Sequence, residues 1–495
     1  MEFVMTDLSL PDANQRRKTE TLYFQLAGEL AQAIQSGVLQ LGEKLPSIRK
    51  LSAQRQVSLS TVMEAYRELE DRGLIEARPQ SGFYVRKHRN GFSAPELTQP
   101  PQQARQVVVD PMWLPATLAR LHDIKIDFGF AILAPALFPN QQLQRLLAQV
   151  TRHSPELIAD YGRPAGDVEL RRQIARRALN WGGQFEAEEI LITQGAIEAL
   201  NLCLRAVTQP GDVVAIESPA YFGLLQILES FQLKALEIPT HPQTGISIEA
   251  LELATRSGEV KACVLLPNFS NPLGSLMPDE NKKRLVELLA ERLIPLIEDD
   301  LYGEFYYKGD RPRPAKAFDK EGNVMPISSF TKTVAPGFRI GWVVAGRHHQ
   351  KVEQLKFINT FSNAMPLQRT IAKFLESGGY DHHLRRLRRA CFDQVMLAVA
   401  AIERFFPSDT RLHVPQGGYV FWIELNAVVD TLLLLQHALR EGISFTPGPL
   451  FSPSHSYRNC LRICCNEPWG ARHDHAIERL GELVQQQISE ATTIR

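Results

Sequence analysis

Lys332 lies among hydroxyls in SSFTKTVAPGFRIGW, with Ser329, Thr331 and Thr333 around it and Arg339 further on. An amine in that setting suits a Schiff base if its surroundings hold it still and lower its pKa, and the cation and hydroxyls suit a cofactor phosphate. In LITQGAIEAL a strand-like run meets a helix-like one at Gly195-Ala196, where free backbone N–H groups attract an anion. IEDDLYGEF places Asp299 and Tyr302 just past an apolar run. A carboxylate there suits a pyridine nitrogen that must stay protonated, and Asp300 competes for the role. Asn271, in PNFSNPLG, precedes a proline turn and suits donation to a phenolate oxygen; Tyr221, in SPAYFG, suits stacking on a flat ring.

Residues so far apart in the chain meet only if a framework gathers them. EILIT, DVVAIE, KACVLL, PLIED and PISSF read as short strands ending in turn signals, with helical patterns such as IEALNLCLRAV and NKKRLVELLAERL between them. That alternation predicts an α/β domain with a mixed or parallel sheet over 116–495. Of the 495 residues, 44% are hydrophobic and 22% charged, which excludes a long disordered or collagen-like chain. Lys plus Arg and Asp plus Glu both number 55, so a uniformly basic coat is excluded while a local basic patch is not. Cys460, Cys464 and Cys465 lie in one apolar stretch at a spacing that lacks further metal ligands; buried thiols are predicted, and no metal. No leader-like segment and no membrane-length apolar run stands out, so a cytoplasmic protein without a membrane partner is predicted. Two basic runs, Arg171-Arg172 with Arg176-Arg177 and Arg385-Arg386 with Arg388-Arg389, read as solvated helix faces.

Residues 88–115 are rich in proline and glutamine, which disfavours helix and predicts a linker. It sets apart an N-terminal module, 18–87. There Leu22, Leu26, Leu30 and Ile34 form one helical stripe, a second helix starts at Pro46-Ser47 and buries Ile48 and Leu51, and a third is capped by Ser58 with Val62, Tyr66 and Leu69 inward. LIEAR and FYV then form a hairpin. The pattern is a winged helix-turn-helix. From Lys44 to Met63 the window holds Lys44, Arg49, Lys50 and Arg55 and no acid, and Ser58, Ser60 and Thr61 open the third helix, where side chains reach base edges.

The run from Gly37 to Val85, with its LPS-x-R, V-S-x-x-TV and SG-x-x-V elements, resembles the GntR family of bacterial regulators. The resemblance implies that Ser47, Arg49, Ser60, Thr61 and the wing at Ser81-Gly82 face double-stranded operator DNA; Leu59 departs from it, standing where the family often has Arg. Residues 120–490 resemble fold type I aminotransferases, through YGRPAGDVELR, TQGA, SPAYFG, NPLG, D-x-x-Y, S-x-x-K and CLRICC in order. That resemblance implies pyridoxal 5′-phosphate as cofactor, with Lys332 as the catalytic Schiff-base residue and Asp299 and Tyr302 beside it. It also implies Asp299 at the pyridine nitrogen, Asn271 and Tyr302 at the ring hydroxyl, and Tyr221 on the ring. Gly195, Ala196, Ser329 and Arg339 would bind phosphate, Tyr161 would reach in from a partner subunit, and Arg462 would take the carboxylate of an amino-acid or amine ligand. NPLG in place of the commoner NPTG, Thr331 where Ser is frequent, and a closer Arg339 remove no chemical role. A GntR-like module joined to such a domain resembles the MocR subgroup, which implies a homodimeric, pyridoxal-phosphate-dependent transcription regulator of the bacterial cytoplasm. The intact residue set keeps open the alternative of an active aminotransferase with an appended binding module.

Overall fold

A computed structural model describes residues 22–35, 39, 43–71, 74–78, 81–85, 92–96, 103–107 and 124–493. The chain divides into two units, Met1–Phe92 and Ser93–Arg495.

In the first unit, helices Leu22–Gln35, Ile48–Arg55 and Leu59–Asp71 are followed by antiparallel strands Ile75–Arg78 and Gly82–Val85. Serine caps start the second and third helices: Ser47 Oγ accepts from Lys50 N at 3.3 Å and Ser58 Oγ from Thr61 N at 3.1 Å. The core packs Leu26, Ala27, Leu30 and Ala31 against Val62, Ala65, Tyr66 and Leu69, and the Tyr66 hydroxyl donates to Pro46 O at 2.6 Å. Two expectations are corrected. Leu22 begins its helix and lies 65% exposed, so Ala27 and Ala31 complete the buried stripe instead; Ile48, in the first turn of its helix, is only half-buried while Leu51 is buried.

The second unit is built on a large sheet whose strands run, edge to edge, Arg105–Gln106, Lys234–His241, Val213–Ser218, Val260–Leu265, Leu296–Asp299, Val324–Ser329, Gly341–Val344 and Ile190–Thr193. The five runs read as strands from the sequence are all here. From Lys234–His241 to Val324–Ser329 neighbours pair parallel, and Gly341–Val344 is antiparallel to both its neighbours. Nearly every residue of the central strands is buried, as a sheet covered on both faces requires. A smaller antiparallel sheet joins Arg411–Leu412, Val420–Glu424, Cys460–Cys464 and Thr446–Pro447, and Cys460, Cys464 and Cys465 are buried there as free thiols.

Parts of the expected linker, 88–115, are built into the second unit. Ser93–Glu96 and 103–107 belong to the second unit: Glu96 N donates to Glu424 at 2.6 Å, and Arg105–Gln106 pairs with Lys234–Ala235 at the sheet edge while Val107 is buried. Open N–H and C=O groups on that edge reward even two residues that pair with them. Residues 88–91, 97–102 and 108–115 of the expected linker, and positions 18–21 and 86–87 of the expected module, lie outside the described residues. No helix among the described residues is long and apolar enough to cross a membrane.

Candidate functional site

The parallel strands end on one side of the sheet, and the loops that follow them enclose a cavity of about 410 Å³. Ala196, Tyr221, Asn271, Asp299, Tyr302, Ser329, Lys332, Arg339 and Arg462 all line it. These residues, proposed from separate loops and strands, therefore share one cavity, and Gly195 adjoins it beside Arg339. Tyr161 does not reach it: its side chain is 82% exposed, edge-on to Phe361.

Lys332 sits in the turn after Val324–Ser329 and donates to Ala131 O at 2.6 Å. Burial, with Arg462 and Arg339 nearby, brings its amine down to about 8. The turn is clamped from behind. His383 Nε2 meets Thr333 O at 2.7 Å and Tyr380 donates to the Thr333 hydroxyl at 3.2 Å; burial pushes His383 down to about 4, so the neutral ring donates. Asp299 ends its strand, accepts from Leu301 N at 3.2 Å, and is raised by burial and the neighbouring Asp300 to about 7. Asp300, the competing acid, points the other way into a pair with Arg311 and accepts from Asn268 at 2.8 Å. Strand pleating separates the two, since adjacent side chains leave opposite faces.

Gly195 opens helix Gly195–Val207 with φ +74, and a Cβ there would stand 2.8 Å from Arg339 Nη2. The first N–H groups of that helix have no intrahelical acceptor. Ser329 Oγ lies 2.6 Å from Thr331 Oγ1, which Arg339 Nη1 approaches at 3.3 Å. Cation, hydroxyls and helix start thus converge on one end of the cavity, a donor set that fits a phosphate. At the other end Arg462 is 1% exposed. It donates to Asn271 Oδ1 and Thr446 Oγ1, each at 2.9 Å, and to Gly129 O, while Phe451 and Phe222 face its guanidinium. Its Nε is buried without a hydrogen-bond partner. An orphaned donor of that kind is costly unless a ligand or water satisfies it.

The contributions of Gly129, Ala131 and Thr446 escape sequence reading, since they act through backbone carbonyls or a single hydroxyl in the runs DFGFAILAP and ISFTPG. Of the two basic runs, Arg171 is buried and donates to Ala187 O, Arg177 pairs with Asp381 and Arg388 with Glu304. These are structural tethers; Arg385 and Arg386 are exposed.

In the small unit, Arg49 and Lys50 are exposed and make no ion pair with a described residue. Lys44 lies 5.8 Å over the Tyr84 ring. Arg55 pairs with Glu29 at 2.9 Å, so that cation is not free as the acid-free window had suggested. The Ser58 hydroxyl meets those of Ser60 at 2.8 Å and Thr61 at 2.7 Å, and the Ser81 hydroxyl meets that of Tyr84 at 2.6 Å beside Gly82.

Comparison with known proteins accounts for both units. Residues 22–85 match the bacterial regulatory proteins of the gntR family, and residues 133–480 match aminotransferase class I and II. The chain is 40% identical to an uncharacterized HTH-type transcriptional regulator, YdcR of Escherichia coli strain K12, over 94% of this chain and 99% of YdcR. Among solved structures it resembles the multiple substrate aminotransferase of Thermococcus profundus, with TM-score 0.72 and 25% identity over 77% of this chain and 97% of that one. It also resembles LysN, the alpha-aminoadipate aminotransferase of Thermus thermophilus, solved with N-(5′-phosphopyridoxyl)-L-leucine. There the TM-score is 0.70 at 28% identity, over 75% of this chain and 95% of LysN. With a helix-turn-helix of the gntR type and a pyridoxal-phosphate domain of the aminotransferase class I and II type in one chain, the protein belongs to the MocR-type subgroup of GntR transcription regulators.

Proposed function

We propose that the cavity holds pyridoxal 5′-phosphate at Lys332, takes a carboxylated amine at Arg462, and reports that occupancy to operator DNA. The observation that carries this reading is the buried, partnerless Nε of Arg462 in the same cavity as Lys332 and Asp299.

The bound cofactor supplies an aldehyde carbon and an electron-withdrawing ring. The chain does the rest. Lys332 would be the residue that holds the cofactor, and with its amine near 8 it keeps a usable neutral fraction at neutral pH. Asp299 holds a proton at the ring nitrogen, and Asn271 and Tyr302 orient the ring hydroxyl. Tyr221 covers one ring face. Gly195, Ala196, Ser329 and Arg339 retain the phosphate, joined by Tyr161 of the partner subunit in a homodimer. Arg462 receives a carboxylate by its planar fork, which fixes the ligand's amine toward the cofactor. Lys44, Arg49, Lys50 and Ser47 contact DNA phosphates, with Ser58, Ser60, Thr61, Ser81 and Gly82 close to the duplex. A regulator acting on chromosomal DNA works in the bacterial cytoplasm.

The test is a titration of a selected operator with and without an amino acid that perturbs the cofactor's absorbance. Coupling of about 1–3 kcal/mol, or 5- to 150-fold in affinity, is expected, and DNA must change ligand affinity by the same factor. Identical operator affinity and transcription in both states would remove the sensor role. The complete lysine–aspartate–arginine set supports one further reading, an active aminotransferase; steady turnover of amino and keto acid pairs, unaffected by operator DNA, would favour it.

A further inference from the structure

We propose that Leu59 and Met63 read thymine methyl groups in the major groove, so that this regulator recognises its operator through apolar contacts where a charged or amide side chain is more usual. The inference rests on the DNA-binding reading of the small unit and adds what that unit discriminates.

Helix Leu59–Asp71 buries Val62, Ala65, Tyr66 and Leu69 completely against the unit's core. Along the flank of that buried stripe the helix carries Leu59, 49% exposed, and Met63, 41% exposed. Spaced four residues apart, they stand side by side on the outward surface of its first two turns. The polar groups at that end are already engaged with one another: the Ser58 hydroxyl meets those of Ser60 and Thr61 and accepts from Thr61 N–H. On the flank that Leu59 and Met63 share, what protrudes from the start of the helix is therefore apolar, while Glu64 pairs with Arg67 on the face beyond it.

The helix of a helix-turn-helix that enters the major groove presents its N-terminal residues to base edges. On those edges the only apolar feature is the C5-methyl of thymine; guanine, cytosine and adenine offer donors and acceptors that neither a leucine nor a methionine satisfies. The surroundings commit the surface to a nucleic acid over an apolar protein partner. Arg49 and Lys50, on the preceding helix, are exposed and without an ion-pair partner among the described residues, which is the charge a phosphate backbone complements. Methionine, being flexible and polarizable, adapts to the position of the methyl group.

The experiment uses the full chain loaded with pyridoxal 5′-phosphate to select a tight site from a random duplex library. Each thymine of the site is then replaced in turn by deoxyuridine, which removes the methyl and leaves every hydrogen-bonding group. At one or two thymines per half-site, affinity is expected to fall about fourfold, the value of burying one methyl-sized group. Leu59→Ala or Met63→Ala should erase the deoxyuridine penalty at its own position while the salt dependence stays the same. Both residues are solvent-exposed and alanine is a good helix former, so the fold is retained. Uniform tolerance of deoxyuridine at a tightly bound site overturns the inference and leaves the DNA-binding reading intact, as does a penalty that neither alanine variant removes. Failure to select any duplex overturns the DNA-binding reading, and the inference with it.

Discussion

Arg462 and Arg49 carry the same charge into opposite surroundings. Arg462 is 1% exposed, with aromatic rings over its guanidinium and three oxygens on its terminal nitrogens. Arg49 stands in solvent on an eight-residue helix. In the cavity the dielectric is low and geometry is fixed, so each group acts strongly and on a few atoms; on the helix, water and salt screen the charge and it acts weakly on any phosphate within reach. On the proposed reading, one chain combines a selective pocket with a polyanion-binding surface, and substitutions should separate them.

The largest effect should come from Lys332→Ala. Borohydride reduction of the cofactor-loaded protein, followed by peptide mass spectrometry, should place a covalent adduct on Lys332 and show none in the variant; labelling of another lysine in the wild type would break the assignment. Arg462→Lys keeps the charge but loses the planar fork, so the amino-acid ligand that perturbs the absorbance should bind roughly 10- to 150-fold more weakly, about 1.5–3 kcal/mol, with cofactor absorbance retained. Unchanged ligand affinity would move the carboxylate elsewhere.

The rate at which apoprotein captures pyridoxal 5′-phosphate should sharpen the contrast between buried and exposed lysines. Burial depresses Lys332 from an ordinary 10.5 to about 8, so its neutral fraction grows about tenfold per pH unit below 8 and levels off above it. Stopped-flow absorbance from pH 6 to 10 should show that plateau, and a rise continuing to 10.5 would mean an unperturbed amine. Gly195→Ala forces a side chain into positive φ against Arg339, and should lower thermal stability by about 1–2 kcal/mol while loosening phosphate retention. Calorimetry of apo and loaded protein checks both. The smallest change should follow Arg49→Ala: operator affinity falls by a similar factor for all sequences, and the slope of log affinity against log salt shrinks by about one unit. An unchanged slope would take Arg49 off the phosphate backbone.

Asp299 and Asp300 show where sequence reading stops. Both end the same apolar run, and by composition either suits a ring nitrogen. The pleat turns Asp299 into the cavity and sends Asp300 to Arg311, a partner that no spacing announces. Tyr161, whose motif implies a cofactor contact made across to a partner subunit, lies on the surface of the single chain. Arg105–Gln106 shows a related limit, because its pairing depends on an open edge more than a hundred residues away.

Local patterns determined the element types, the two-unit organisation and the residue types available for chemistry, since periodicity, caps and turn residues act over a few positions. The Ser58 cap, the turn that carries Lys332 and Arg339, and the presence of an acid pair at Asp299-Asp300 are legible in that way. Only the tertiary structure decided which carbonyls hold Lys332 and Arg462, which of two acids faces the cavity, and that Leu59 and Met63 point outward together. Those outcomes depend on which strands and helices become neighbours, and contact between distant segments is set by packing of the whole sheet and its covering layers rather than by any window of the chain.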